Sequence, residues 1–131
     1  MTIAVVIPAL DEADAIERAV SSAVGPRVDV IVVDGGSCDG TRETALGAGA
    51  RVINAQGGRA RQLQVGIEAS KSDVVLFLHA DTRLPEGWDR AVAAALEDPE
   101  TVGGAFRLEF DDRTEERRVG KECRSRWAPD H

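Results

Sequence analysis

Short apolar runs of four to six residues recur along this chain, each followed by a polar turn and then a helix-like segment. Ile3-Ala4-Val5-Val6-Ile7, Val28 to Val33 and Asp73 to Leu78 are such strand candidates, and Arg51 to Asn54, bounded by polar residues, is a shorter one. Continuous apolar runs of this length suit strands buried on both faces of a parallel sheet. Between the first two runs, a helix opens near Asp11 and places Ile16, Ala19, Val20 and Ala23 on one face; Gly25-Pro26 stops it. A second helix is expected over Thr41 to Ala48, capped by Asp39 or Thr41 and ended by Gly49. A third follows the loop Gln56-Gly57-Gly58-Arg59, with Leu63, Gly66, Ile67 and Ser70 on one face. A fourth follows the loop Asp81 to Gly87, with Trp88, Val92, Ala95 and Leu96 inward. Asp98-Pro99 ends it, and Val102 to Phe110 reads as a fifth strand. This alternation predicts an α/β fold: a Rossmann-like, mostly parallel sheet with helices on both faces and right-handed crossovers.

The 131 residues suffice for one small domain or for part of a larger one. No run of about 18 apolar residues is present, so no membrane span is expected. Met1-Thr2 leads into the first strand with no basic region or cleavage site, against a secretory signal. Cys38 and Cys123 are too few for a disulfide framework, which suits a reducing cytoplasm. A formal net charge of −7 argues against broad nucleic-acid binding. Positive charge gathers in residues 113–131, which carry six Lys/Arg against four Asp/Glu and show no apolar periodicity. That stretch resembles the translation of a common short-read sequencing adapter. Residues 1–112 are therefore expected to be the native, incomplete domain, and 113–131 a non-native, disordered tail.

In a parallel sheet the carboxyl ends of all strands share one edge, the edge where open α/β sheets bind ligands. Strand one delivers Pro8 to Glu12 there, strand two Asp34-Gly35-Gly36, and strand four His79-Ala80-Asp81. Arg59 and Arg61 arrive from the loop after strand three. Acids alone repel a phosphate ligand. They suit one when they hold a divalent cation that bridges to it, or when they accept from a base and a ribose. Arginine adds bidentate contacts to phosphate. The edge fits a nucleoside diphosphate with a metal.

Val5-Val6-Ile7-Pro8-Ala9-Leu10-Asp11-Glu12, Val32 to Thr41, and Phe77-Leu78-His79-Ala80-Asp81-Thr82 resemble, in order, three signatures of the family-2 glycosyltransferases. Gly58-Arg59-Ala60-Arg61-Gln62 and Gly103-Gly104-Ala105-Phe106-Arg107 further resemble a bacterial branch found near selenium and radical-SAM genes. The resemblance covers residues 3–112 and implies the nucleotide-binding half of a GT-A fold, cut off before the acceptor region. It implies a UDP-sugar donor, Mg²⁺ or Mn²⁺ as cofactor, and inverting transfer to an unknown acceptor. Pro8 and Glu12 would line the uridine pocket. Asp34, beside Gly35, would accept from the uracil or ribose, and Arg59 and Arg61 would approach the nucleotide. Asp81, next to Ala80, would hold the metal.

The chain departs from that pattern in places. His79 stands where the first acid of the Asp-x-Asp signature is found, so one carboxylate leaves more of the metal shell to water and phosphate. Asp11 replaces a frequent Asn, and Cys38 a usual Thr. The resemblance implies a catalytic base downstream of the chain's end, so no residue here is assigned that role and the fragment alone is expected to be inactive. Peripheral membrane association of a longer protein stays open. Three alternatives stand beside the glycosyltransferase: a dinucleotide-dependent oxidoreductase, a nucleotidyltransferase of similar sheet order, which would want a glycine-rich, basic loop where an acidic one follows strand one, and an inert nucleotide-binding fragment. The oxidoreductase requires Gly-x-Gly-x-x-Gly directly after a strand, and Pro8-Ala9-Leu10-Asp11-Glu12-Ala13 follows strand one instead.

Overall fold

The computed structural model describes residues 2–97. Met1 to Arg83 form one compact unit, which holds the whole described sheet. Its elements are β1 (Ile3–Ala9), α1 (Ile16–Ala23), β2 (Val28–Asp34), α2 (Thr41–Ala48), β3 (Arg51–Asn54), α3 (Arg59–Ala69) and β4 (Val74–Phe77). All four strands run parallel, in the order β3-β2-β1-β4. The expected alternation is therefore realised as a parallel α/β sheet.

The central pair, β1 and β2, carries the core. Ile3 to Ile7 and Val30 to Val33 are at most 4% exposed on either face, as strands covered from both sides must be. Ala4, Val6, Ile31 and Val33 pack with Leu63, Val65 and Ala69 of α3. On the other face, the buried stripe Ile16, Ala19, Val20 and Ala23 of α1 matches the predicted helical periodicity. Burying a dozen such side chains, at about 1.5–3 kcal/mol each, drives the layers together.

Several boundaries and faces differ from expectation, each for a physical reason. Pro8 does not end β1 but lies within it, paired with Val33. The Leu78 N–H donates to the Val6 carbonyl at 3.0 Å, and the two-residue alternation turns the Pro8 nitrogen to that same side. There it lies past the end of β4, so no ladder bond is lost. Helix α1 begins at Ile16 rather than near Asp11, because Asp11 adopts a left-handed φ of 54°. Strand β4 is shorter than expected and mostly half-buried, with only Leu76 fully covered; it pairs on one side only, with β1, among the described residues. In α3 the inward positions are Gln62 and Gly66, while Ile67 is 47% exposed. The reason is contact distance: a Cβ on Gly66 would lie 2.4 Å from a Val6 methyl, so glycine sets which face meets the sheet. Helix α2 matches its expected span, and Gly49 closes it in the left-handed conformation at φ 111°.

A second unit begins at Leu84, and its described part carries α4 (Trp88–Ala95). Trp88 and Val92 are buried in it, with Ala95 and Leu96 half-buried. The expected helix break at Asp98-Pro99, the fifth strand over 102–110, the tail from 113 and Cys123 lie outside the described residues.

Candidate functional site

Strand order fixes where a ligand can sit. From β1 the chain builds outward through β2 to β3, then returns to place β4 on the opposite side of β1. The connections therefore diverge between β1 and β4, and the crevice beyond their carboxyl ends is the topological switch point of the sheet. Glu12 follows β1 and Asp81 follows β4, so each stands on one side of that crevice. Asp81 occupies the exposed tip of a turn closed by the Thr82 N–H on the His79 carbonyl at 3.1 Å.

Glu12 and Asp81 are electrostatically coupled. Glu12 titrates above its ordinary value, first because it is partly withdrawn from water, and next because the Asp81 carboxylate repels its charge. Arg59, the first residue of α3, acts in the opposite sense, while Asp39 and Asp11 add repulsion. The structure thus brings Glu12, Arg59 and Asp81 into one field. Arg61 is exposed in the first turn of the same helix.

The remaining expected site residues stand behind this group. Pro8 and Ala80 are buried and Gly35 is half-buried. Asp34 is 0% exposed. Its Oδ2 accepts from the N–H groups of Gly36 (3.2 Å) and Ser37 (2.9 Å), its Oδ1 from the Ser37 hydroxyl, and the Arg42 guanidinium lies 3.9 Å away. What Asp34 does in this structure is hold the turn after β2.

Three contributors were not anticipated from sequence. The Ser37 hydroxyl oxygen accepts from the Asp11 N–H and the Thr41 hydroxyl oxygen from the Glu12 N–H, both at 2.8 Å, so the β2–α2 turn grips the β1–α1 loop. Asp11 answers by accepting from the Cys38 N–H at 2.8 Å. Buried Gln62 donates through Nε2 to the carbonyls of Ala9 (3.1 Å) and Val33 (2.8 Å), bolting the first turn of α3 to the ends of β1 and β2. The visible signal was the run of small hydroxyl and acidic residues in Asp34 to Thr41. Nothing in the sequence told which loop those hydroxyls face.

A family model described as glycosyl transferase family 2 matches residues 4–130. The chain belongs to that family. The match also crosses residues 113–130, the stretch set apart on sequence as adapter-like. Among curated relatives of this family-2 chain, glucosyl-3-phosphoglycerate synthase of Mycolicibacterium paratuberculosis is 38% identical over 94 residues, covering 61% of this chain and 28% of the relative. The corresponding synthase of Mycobacterium tuberculosis is 35% identical over the same length, covering 61% and 29%. A crystal structure of the tuberculosis synthase with Mn²⁺, UDP and glucosyl-3-phosphoglycerate aligns with a TM-score of 0.68 at 29% identity. It covers 78% of this chain and 42% of that one. Another, with Mg²⁺ and UDP, aligns at 0.67 and 30% identity, covering 78% and 41%. The family-2 chain thus spans less than a third of the curated relatives it matches.

The donor set for a cation can be judged on its chemistry. Among the described residues no group of three or more His, Cys, Asp or Glu could enclose a metal ion. A closed protein cage is therefore absent there, whereas Asp81 is an exposed carboxylate electrostatically coupled to Glu12. Mg²⁺-like ions held against nucleotides use one or two carboxylates and take their other oxygens from phosphate and water. The residues fit a cation of that kind. No helix among the described residues is long and apolar enough to cross a membrane.

Proposed function

We propose that this chain is the donor-binding part of a glycosyltransferase that takes a UDP-sugar together with Mg²⁺ or Mn²⁺. The observation that supports the reading is the strand order, which sets the loops bearing Glu12 and Asp81 on either side of the β1/β4 switch point. Glu12 and Pro8 form the uridine side. Gly35 and the Asp34 turn shape its floor, Asp34 accepting from the uracil or ribose once the turn yields an oxygen. Arg59, with Arg61 beside it, faces the phosphates, and Asp81, with Ala80 behind it, holds the cation. Bound there, the cation would offset charge gathering on the departing nucleotide. Transfer is inverting on family grounds. The tuberculosis structures bind phosphoglyceric acid beside UDP, so a phosphorylated hydroxy acid is the first acceptor to try.

The dinucleotide alternative lacks support: β1 leads into an acidic loop with no glycine fingerprint, and the family is that of glycosyl transfer. The selenium-associated branch, cytoplasmic residence and an adapter origin for residues 113–131 belong to the same proposal. Resequencing the genomic locus past codon 112 tests the last. Calorimetry on the full chain with UDP, UDP-glucose and NAD, with and without Mn²⁺, tests the donor reading. UDP should bind with Mn²⁺, and Asp81→Asn should weaken that binding by about tenfold or more, the equivalent of ~1.4 kcal/mol. NAD binding without metal, or UDP binding indifferent to Asp81, refutes the proposal.

A further inference from the structure

We infer that Thr41, oriented by Asp39, is a positioning residue for the donor site, acting through the backbone of Glu12. The inference rests on the donor reading above and adds a mechanism to it. Thr41 is the first residue of α2 and is 0% exposed, yet its hydroxyl is not spent on its own helix. It donates to Asp39 Oδ1, and the Glu12 N–H donates to it at 2.8 Å. The direction of this relay is forced. A carboxylate can only accept and a hydroxyl has one proton, so the Asp39 bond turns the Thr41 lone pairs toward Glu12. Asp39 further accepts from the N–H groups of Thr41 (3.0 Å) and Ala13 (3.2 Å), clasping the residue on the far side of Glu12.

A second relay of the same design lies beside it: Asp34 orients the Ser37 hydroxyl, which accepts from the Asp11 N–H. Two consecutive amides of the β1–α1 loop are thus each held by a carboxylate-oriented hydroxyl of the β2–α2 turn. This arrangement answers a specific difficulty. Asp81 repels the Glu12 carboxylate and Arg59 attracts it, so its position cannot be left to charge alone. Anchoring the main chain keeps Glu12 in place before any ligand arrives, so binding does not have to order it.

The test uses the full chain and two readouts, amide hydrogen exchange at Glu12 and affinity for UDP with Mn²⁺. Thr41→Val should speed exchange at Glu12 and weaken UDP by about five- to tenfold, the worth of one hydrogen bond. Thr41→Ser should restore both. Arg51→Ala, which breaks a distant exposed ion pair with Asp29, controls for stability and should leave UDP affinity within about twofold. Unchanged Glu12 exchange in Thr41→Val, faster exchange with unaltered UDP affinity, or failure of Thr41→Ser to restore, each overturns the inference. If Thr41→Val does not fold, Asp39→Ala, at an exposed position, decides by the same two readouts. If the unmodified chain binds no UDP, the donor reading falls, and Glu12 exchange alone then decides whether the hydroxyl anchors that loop.

Discussion

Asp39 illustrates how much one exposed carboxylate can organise. Its pKa lies below the ordinary value, chiefly because the Thr41 hydroxyl donates to the charged form, with the N–H groups of Thr41 and Ala13 adding to this. The unfolded chain has no such donors, so its carboxyl stays near 3.8. The ionised form therefore stabilises the fold at pH values above 3.8, and this contribution fades as pH falls through the lower folded value. Asp39→Ala should lower the melting temperature at neutral pH, and the gap to the unmodified protein should close in acid. A gap that persists undiminished well below 3.8 would show that something other than this charge was lost.

Helix α3 is the element on which the site depends most. Gly66 touches the Val6 and Val33 side chains, Gln62 reaches two strand ends, and Arg59 projects at the amino end. Gly66→Ala gains about 1 kcal/mol of helix propensity but drives a methyl against a stiff β-branched neighbour. Overpacking of this kind costs about 1–3 kcal/mol, so the net effect should be destabilising, read as a lower urea midpoint with an unchanged slope. Gln62→Leu removes two buried bonds and should cost about 2 kcal/mol. It should also weaken UDP binding by freeing the turn that carries Arg59. The same helix shows what a sequence can and cannot display. Its presence after the Gly57-Gly58 turn was legible, and so were β2, β3, α2 and the buried stripe of α1, because period and glycine punctuation are local properties. The facing of α3 was not legible, because a glycine looks like a weakness until the strand it touches is known. Likewise Glu12 and Asp81 could be placed at a strand end from sequence, and their meeting follows only once β4 is seen beside β1. The burial of Asp34 depended on a turn whose hydrogen bonds are spread over two loops.

The whole molecule is acidic, with a formal net charge of −7, while its proposed ligand is an anion. Long-range repulsion should therefore oppose UDP when no cation is present, and a bound cation should reverse the local sign. Raising salt from about 50 to 300 mM should strengthen metal-free UDP binding and weaken the Mn²⁺-dependent kind, since screening reduces both repulsion and attraction. Salt trends of the same sign in both conditions would argue against a cation at Asp81.

The two ends of the sheet are fastened by different means. Below, the strands are clamped by buried Val and Ile against the helices; above, the loops around Asp11, Glu12 and Ser37 are tied by polar links that water can replace. Such a body should soften from its crown downward. Low urea would blunt its grip on a ligand while the strand ladder stays intact, so loss of recognition would precede loss of shape.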